Sequence, residues 1–264
     1  IVALSPHIVE NLFSAGLGSA IDAAVSYADY PEAAKSIPRL GGFANFSIES
    51  VLSFQPDLVI GWASGYVGFA ELVKQLEQLG VPVYVDEPKT LSDVSRSIAN
   101  MAKLGGTETE AQPSIKAFNA KLADLSSHSK RSALNEQVVK VFYPIWPKPL
   151  QTLNGKHIVS DVIELCGGEN IFESAVALAP QVNFEAVLAL NPDVIVASAS
   201  NGKRPDWLAM FSKWPELSAV NSGNVYWIDG DLLSRHTARM LEGAEIMCDY
   251  IANIASRQEN KKHD

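Results

Sequence analysis

The chain has 264 residues, a mass of 28.5 kDa and a formal net charge of −9, with 47% hydrophobic and 19% charged residues. That size is enough for one large domain or two lobes with separate cores, and the balance excludes a largely disordered chain. The acidic charge, without a basic stripe, removes the main source of nucleic-acid affinity, and no apolar run nears the ~20 residues of a membrane-spanning helix.

The chain opens on Ile1-Val2-Ala3-Leu4, a strand already under way, so a leader is expected to have been removed. Further strands are predicted over Ile21–Val25, Leu58–Trp62 and Val81–Val85, alternating with helices over Ile8–Gly16, Ile48–Phe54, Phe69–Leu79 and Leu91–Leu104. Alternation at this spacing builds βαβ units and therefore a parallel sheet. From Glu108 to Leu134, Ile115, Phe118, Leu122 and Leu125 recur at helical spacing, which predicts one long helix. Strands over Val138–Tyr143, Val194–Ala197 and Val225–Ile228 then repeat the plan, closed by a helix from about Ala238 to Ile254. Ser256 to Asp264 has no apolar residue to bury and is expected to fray. The expected organisation is an N-terminal α/β lobe over 1–106, a linker helix over 107–134 and a C-terminal α/β lobe over 135–264.

The two lobes are related by internal similarity. Phe46-Ser-Ile-Glu49 through Pro56-Asp57-Leu-Val-Ile60 resembles Val182-Asn-Phe-Glu185 through Pro192-Asp193-Val-Ile-Val196, with a constant offset of 136 positions. An earlier echo, His7-Ile-Val to Gly16-Leu-Gly18 against His157-Ile-Val to Cys166-Gly-Gly168, recurs in the same order. Each copy reads as a capped helix, a proline break and a buried strand. Two such lobes joined by a helix predict a stiff molecule, with its ligand in a cleft between the lobes outside the carboxyl ends of the strands.

Residues placed at those strand ends are the candidates for binding. Aromatic side chains gather there: Tyr27, Tyr30, Phe43, Phe46, Trp62 and Tyr66 in the first lobe, Tyr143, Trp146, Trp207 and Trp214 in the second. They offer flat contact area to a flat ligand, or else they pack in the core. Trp62 and Trp146 favour the first reading because each follows an apolar strand and precedes loop residues. Asp231 and Arg235 stand four apart, as a surface ion pair or as polar anchors for a ligand. Glu49 and Glu185 occupy matching first turns, favoured there by the helix dipole or presented as two acidic knobs for a partner.

Cys166 and Cys248, the two cysteines, lack metal-ligand spacing and are either buried thiols or a disulfide. No HExxH, GxSxG, P-loop or GxGxxG pattern surrounds the histidines or glycines, so nothing supports catalysis, a metal or a cofactor of the chain's own. A metal-dependent enzyme built on paired lobes is the rival from another class.

With these residues in view, the chain resembles the helical-backbone periplasmic substrate-binding proteins that serve ABC importers of cobalamin, haem and ferric siderophores. The resemblance covers nearly the whole chain. It is carried by Leu4-Ser5-Pro6-His7, Val25-Ser-Tyr27-Ala-Asp29-Tyr30-Pro31, Glu49 through Trp62, Leu165-Cys166-Gly-Gly168-Glu-Asn170-Ile-Phe172, Pro180-Gln181-Val182, and Asp231 to Cys248. Pro-Asp-Leu-Val-Ile is general to the superfamily, whereas the segments around Tyr27 and Cys166 look most like its cobalamin-binding branch. The resemblance implies that Tyr27, Phe43, Trp62 and Trp146 line a corrin site, with Asp231 and Arg235 facing its polar groups. Phe43 stands where similar proteins often carry Trp, which lessens the stacking surface. It further implies a Cys166–Cys248 disulfide, Glu49 and Glu185 in salt bridges with the importer's membrane subunits, and a monomer in the periplasm carrying cobalamin as cargo. A haem carrier would instead need an iron ligand such as Tyr27 or His236.

Overall fold

The computed structural model describes residues 1–41, 46–63, 68–132, 138–199 and 202–263. They fall into two compact units, Ile1–Pro88 with Ser92–Asn119, and Lys89–Leu91 with Ala120–Asp264.

In the first unit, strands β1 (Val2–Ala3), β2 (Ala23–Ala24), β3 (Val59–Gly61) and β4 (Val83–Val85) form a parallel sheet in the order β2-β1-β3-β4. Helices α1 (Pro6–Ser14), α2 (Ile48–Leu52) and α3 (Phe69–Gln78) lie in the connections, and α4 (Leu91–Gly105) follows β4. Strands β1, β2 and β3 are short buried runs of small or β-branched residues, as the interior of a parallel sheet requires, while the edge strand β4 is partly exposed. One core cluster gathers Val2, Val25, Val51, Val59, Phe69, Leu72 and Leu76. Gly61 has a specific use: a Cβ there would fall 2.2 Å from the Phe69 ring, so only glycine lets α3 close over the end of β3.

Helix α5 (Glu108–Ser132) runs from the first unit into the second. Its start is pinned by the Thr107 hydroxyl, which donates to the Ala15 carbonyl at 2.6 Å, and by buried Ala111 and Phe118. Further along, Lys121 pairs with Glu245 at 3.0 Å.

The second unit contains β5 (Val139–Phe142), the antiparallel hairpin β6 (Trp146–Pro147) and β7 (Leu150–Gln151), β8 (Gly168–Asn170), β9 (Val194–Ala199) and β10 (Val225–Asp229). Helices α6 (Ile158–Leu165), α7 (Phe184–Leu190), α8 (Ser218–Asn221), α9 (Gly230–Leu233) and α10 (Met240–His263) complete it. Its main sheet is parallel in the order β8-β5-β9-β10, which repeats the first sheet strand for strand. The core is aromatic: the Phe211 ring lies 6.0 Å from Phe142 and 5.7 Å from Phe184, and Phe184 stacks on Trp214 at 5.1 Å. Cys166, at the end of α6, is joined to Cys248 in α10 with the Cα atoms 4.6 Å apart.

The duplication reaches the backbone. Ser47 caps α2 by accepting from the Ser50 amide at 3.2 Å, and Asn183 caps α7 by accepting from the Ala186 amide at 2.9 Å. Before the matching prolines, Gln55 and Asn191 both take the left-handed conformation, with φ of 46° and 43°.

Two elements differ from the sequence reading. Strand β8 is polar and short, so no periodicity announces it; it exists through backbone pairing of Val139 with Gly168 and Val141 with Asn170. Helix α10 continues to His263 across the stretch expected to fray, because nothing after Ile254 breaks it: no Gly or Pro follows.

Candidate functional site

In parallel α/β sheets ligands meet the carboxyl ends of the strands. The helices α2 and α7 feed back into β3 and β9, so their N-termini, with Glu49 and Glu185, lie at that same edge of their own sheets. Both carboxylates are exposed. That of Glu49 is held below its ordinary pKa, first by a hydrogen bond with Ser47 and then by its own backbone amide.

In the first unit, each strand end delivers one distinctive group. After β1, Ser5 hydrogen-bonds His7 Nδ1 at 2.7 Å, and the buried His7 ring meets Trp62, which follows β3, edge-on at 5.1 Å. Burial lowers the His7 pKa to about 3, so a neutral imidazole supports the half-buried indole. After β2, Tyr27 sits at a φ of 69° and is 74% exposed. A bulky residue in that region is unusual, and an exposed ring held there is a feature of binding sites rather than of cores. After β4 comes Asp86, whose carboxylate accepts from the Ser97 hydroxyl at 2.6 Å. Burial raises its pKa to about 6, and its second oxygen has no hydrogen-bond partner among the described residues.

In the second unit, the β6–β7 hairpin after β5 carries Trp146, 58% exposed, with its indole nitrogen donating to the Lys148 carbonyl at 3.1 Å. A cavity of about 380 Å³ opens beside it, lined by Ile145, Trp146, Ser198, Lys203, Arg204 and Trp207 among others. After β10, Asp229 caps α9 by accepting from the Asp231 amide at 3.0 Å, and Arg235 pairs with Asp231 at 3.0 Å. The Arg235 side chain is only 11% exposed against 47% for Asp231, so the pair is anchored by the arginine and offers its carboxylate to solvent. Gly230 lets the start of α9 pass close to β9, since a Cβ there would lie 2.7 Å from the Ser198 hydroxyl. His236 is buried against His157, ring centres 5.6 Å apart, and burial lowers the His157 pKa to about 4.

The structure sorts the aromatic candidates. Tyr27, Tyr30 and Trp146 are exposed, Trp62 is half-buried, and Trp207 lines the cavity while leaning on the core. Phe46 and Tyr143 belong to the core, the Tyr143 phenol held above its ordinary pKa by burial, and Trp214 packs on Phe184. Phe43 and Tyr66 lie outside the described residues. Sequence reasoning missed Asp86, Ser198, Lys203 and Arg204. The Lys203-Arg204 dipeptide after a buried strand was a visible signal; the others were not, because a single Asp or Ser after a strand is commonplace.

Duplicated parallel sheets, with aromatic and charged side chains at their carboxyl ends, define a solute-binding protein built from two related α/β units. A family model for periplasmic binding proteins matches residues 1–232, and the chain belongs to that family. It is 35% identical over 262 residues to the vitamin B12-binding protein of Vibrio cholerae serotype O1, covering 98% of this chain and 90% of the relative. The vitamin B12-binding protein of Vibrio campbellii is 31% identical over 259 residues, covering 98% and 91%. The crystal structure of the periplasmic vitamin B12 binding protein BtuF of Vibrio cholerae superposes with a TM-score of 0.85 at 33% identity, covering 97% of this chain and 96% of that one. The periplasmic heme-binding protein RhuT from Roseiflexus sp. RS-1 shares the fold, with a TM-score of 0.80 at 21% identity over 96% of this chain and 98% of its own.

Proposed function

We propose that this chain is a non-catalytic periplasmic binding protein that captures cobalamin and delivers it, as a monomer, to the membrane subunits of an ABC importer. The observation that carries this reading is the 35% identity to a vitamin B12-binding protein over 98% of the chain, against the 21% that accompanies the shared fold of a heme-binding protein. The rings at the strand ends support it: exposed Tyr27 and half-buried Trp62 in the first unit and exposed Trp146 in the second offer apolar faces to a broad flat cargo. Tyr27, Phe43, Trp62 and Trp146 contact the corrin, while Asp231 and Arg235 orient its amide side chains. Glu49 and Glu185, exposed and equivalent, bind basic residues of the importer.

Titrating the purified protein in turn with cyanocobalamin, haemin, a ferric siderophore and simple metal ions tests the cargo. Saturable quenching of tryptophan fluorescence by cyanocobalamin is the expected result, and saturation by haemin alone overturns it. Trp62→Ala should weaken cobalamin binding at least about tenfold while leaving the far-ultraviolet circular dichroism intact, as a central aromatic contact implies. Glu49→Gln with Glu185→Gln should abolish uptake in cells and leave cargo binding unchanged.

A further inference from the structure

Resting on the corrinoid reading above, we infer that Lys203 and Arg204 form a subsite for the anionic nucleotide appendage of the cargo, the phosphodiester-linked base that a complete corrinoid carries. The cavity beside β9 measures about 380 Å³, room for one appendage and not for a corrin with its side chains. Trp146 and Trp207 line it with flat apolar faces suited to an aromatic base, and the Ser198 hydroxyl adds a hydrogen-bonding group. Lys203 and Arg204 complete the lining. A lysine gives a mobile point charge and an arginine a planar fork, a combination that matches a phosphodiester.

These cations are uncommitted. Arg235 is paired with Asp231, while neither Lys203 nor Arg204 has an ion-pair partner among the described residues. Asp206 is the one acid in the lining among the described residues, so the two cations outnumber it by one charge. On a chain of net charge −9, an anion needs such a local excess in order to be held. The duplication makes the point sharper: the segment after β3, Trp62-Ala-Ser-Gly-Tyr-Val-Gly68, has no charged residue, so the basic pair stands in one copy alone. The pair therefore sets specificity, favouring complete corrinoids over those that lack the nucleotide loop.

The test compares cyanocobalamin with dicyanocobinamide, which has no phosphodiester, on the full chain and on a Lys203→Gln/Arg204→Gln variant, by calorimetry at low and high salt. The wild type should bind cobalamin about tenfold more tightly than cobinamide at low salt, and less selectively at high salt. In the variant the two affinities should converge, with cobinamide binding unchanged, which also shows that the variant is folded. Equal affinities in the wild type, or equal losses for both ligands in the variant, overturn the inference alone. If neither corrinoid binds the wild type, the proposed function falls and the inference with it. Haemin, whose anionic groups are carboxylates, is the control: pair-dependent binding of haemin without corrinoid binding would assign the cations to propionates and overturn the phosphodiester assignment.

Discussion

The two units share a strand order, a capped helix before the third strand and a left-handed residue at the same place, yet they are held together differently. The main core cluster of the first is largely aliphatic, with Phe46 and Phe69 its buried phenyl rings; the second is filled by Phe142, Phe172, Phe211 and their partners and is tied by Cys166–Cys248. Their strand ends differ too. His7 and His157 open equivalent helices, but the first supports Trp62 and the second packs on His236. A parallel sheet tolerates either filling, because its backbone pairing does not depend on which side chains cover it, so divergence accumulates in the cores and at the strand ends.

Four measurements sharpen or break this contrast. Removing the ring of Phe211, fully buried between two others, should cost about 3–5 kcal/mol in urea denaturation followed by fluorescence. Trp146, Trp207, Trp214 and Trp227 all belong to the second unit, so that signal reports mainly on it; an unshifted midpoint would mean that the aromatic core is not what holds the unit. Reducing Cys166–Cys248 should lower the stability of the second unit by about 2–4 kcal/mol, since the bond closes a loop spanning 82 positions, and should leave β3 amide exchange in the first unit unaltered.

Acid should separate the units next. His157, with its folded pKa near 4, stays neutral while its unfolded counterpart takes a proton below about 6.5, so this contribution to stability is lost as pH falls from about 6.5 to 4, on the order of 2–3 kcal/mol. His7 acts in the same sense down to about pH 3 in the first unit, but Asp86 opposes it. With its folded pKa raised to about 6 from 3.8, Asp86 destabilises as pH rises through that interval. Hydrogen exchange of β9 amides should therefore respond to pH more steeply than that of β3, and Asp86→Asn should steepen β3 to match. A β3 response that does not change in Asp86→Asn removes the carboxyl from the account. The smallest effects test what the units share: Ser47→Ala and Asn183→Ala should each cost about 1 kcal/mol, and unequal losses would show that the matching caps are not equivalent.

Most of this architecture is legible in the residues. Apolar β-branched runs between amphipathic stretches mark β1, β3, β5, β9 and β10, and the offset of 136 positions announces that one plan is used twice. Strand β8 escapes such a reading because its partner β5 is remote in sequence, and the β6–β7 hairpin because strands of two residues carry no period. The same limit governs the site. An aromatic residue after a strand is visible in the sequence, but Tyr27 projects into solvent and Tyr143 turns into the core.

By itself, then, the sequence determined the class of fold, the duplication, the helix caps and the candidate rings, since these follow from local propensity and from periodicity along the chain. The tertiary structure decided which rings stand exposed, that Arg235 is spent on Asp231, and that Lys203 and Arg204 share a cavity with Trp146 and Trp207. Those outcomes depend on groups far apart in the chain meeting in space, and no local pattern records such a meeting.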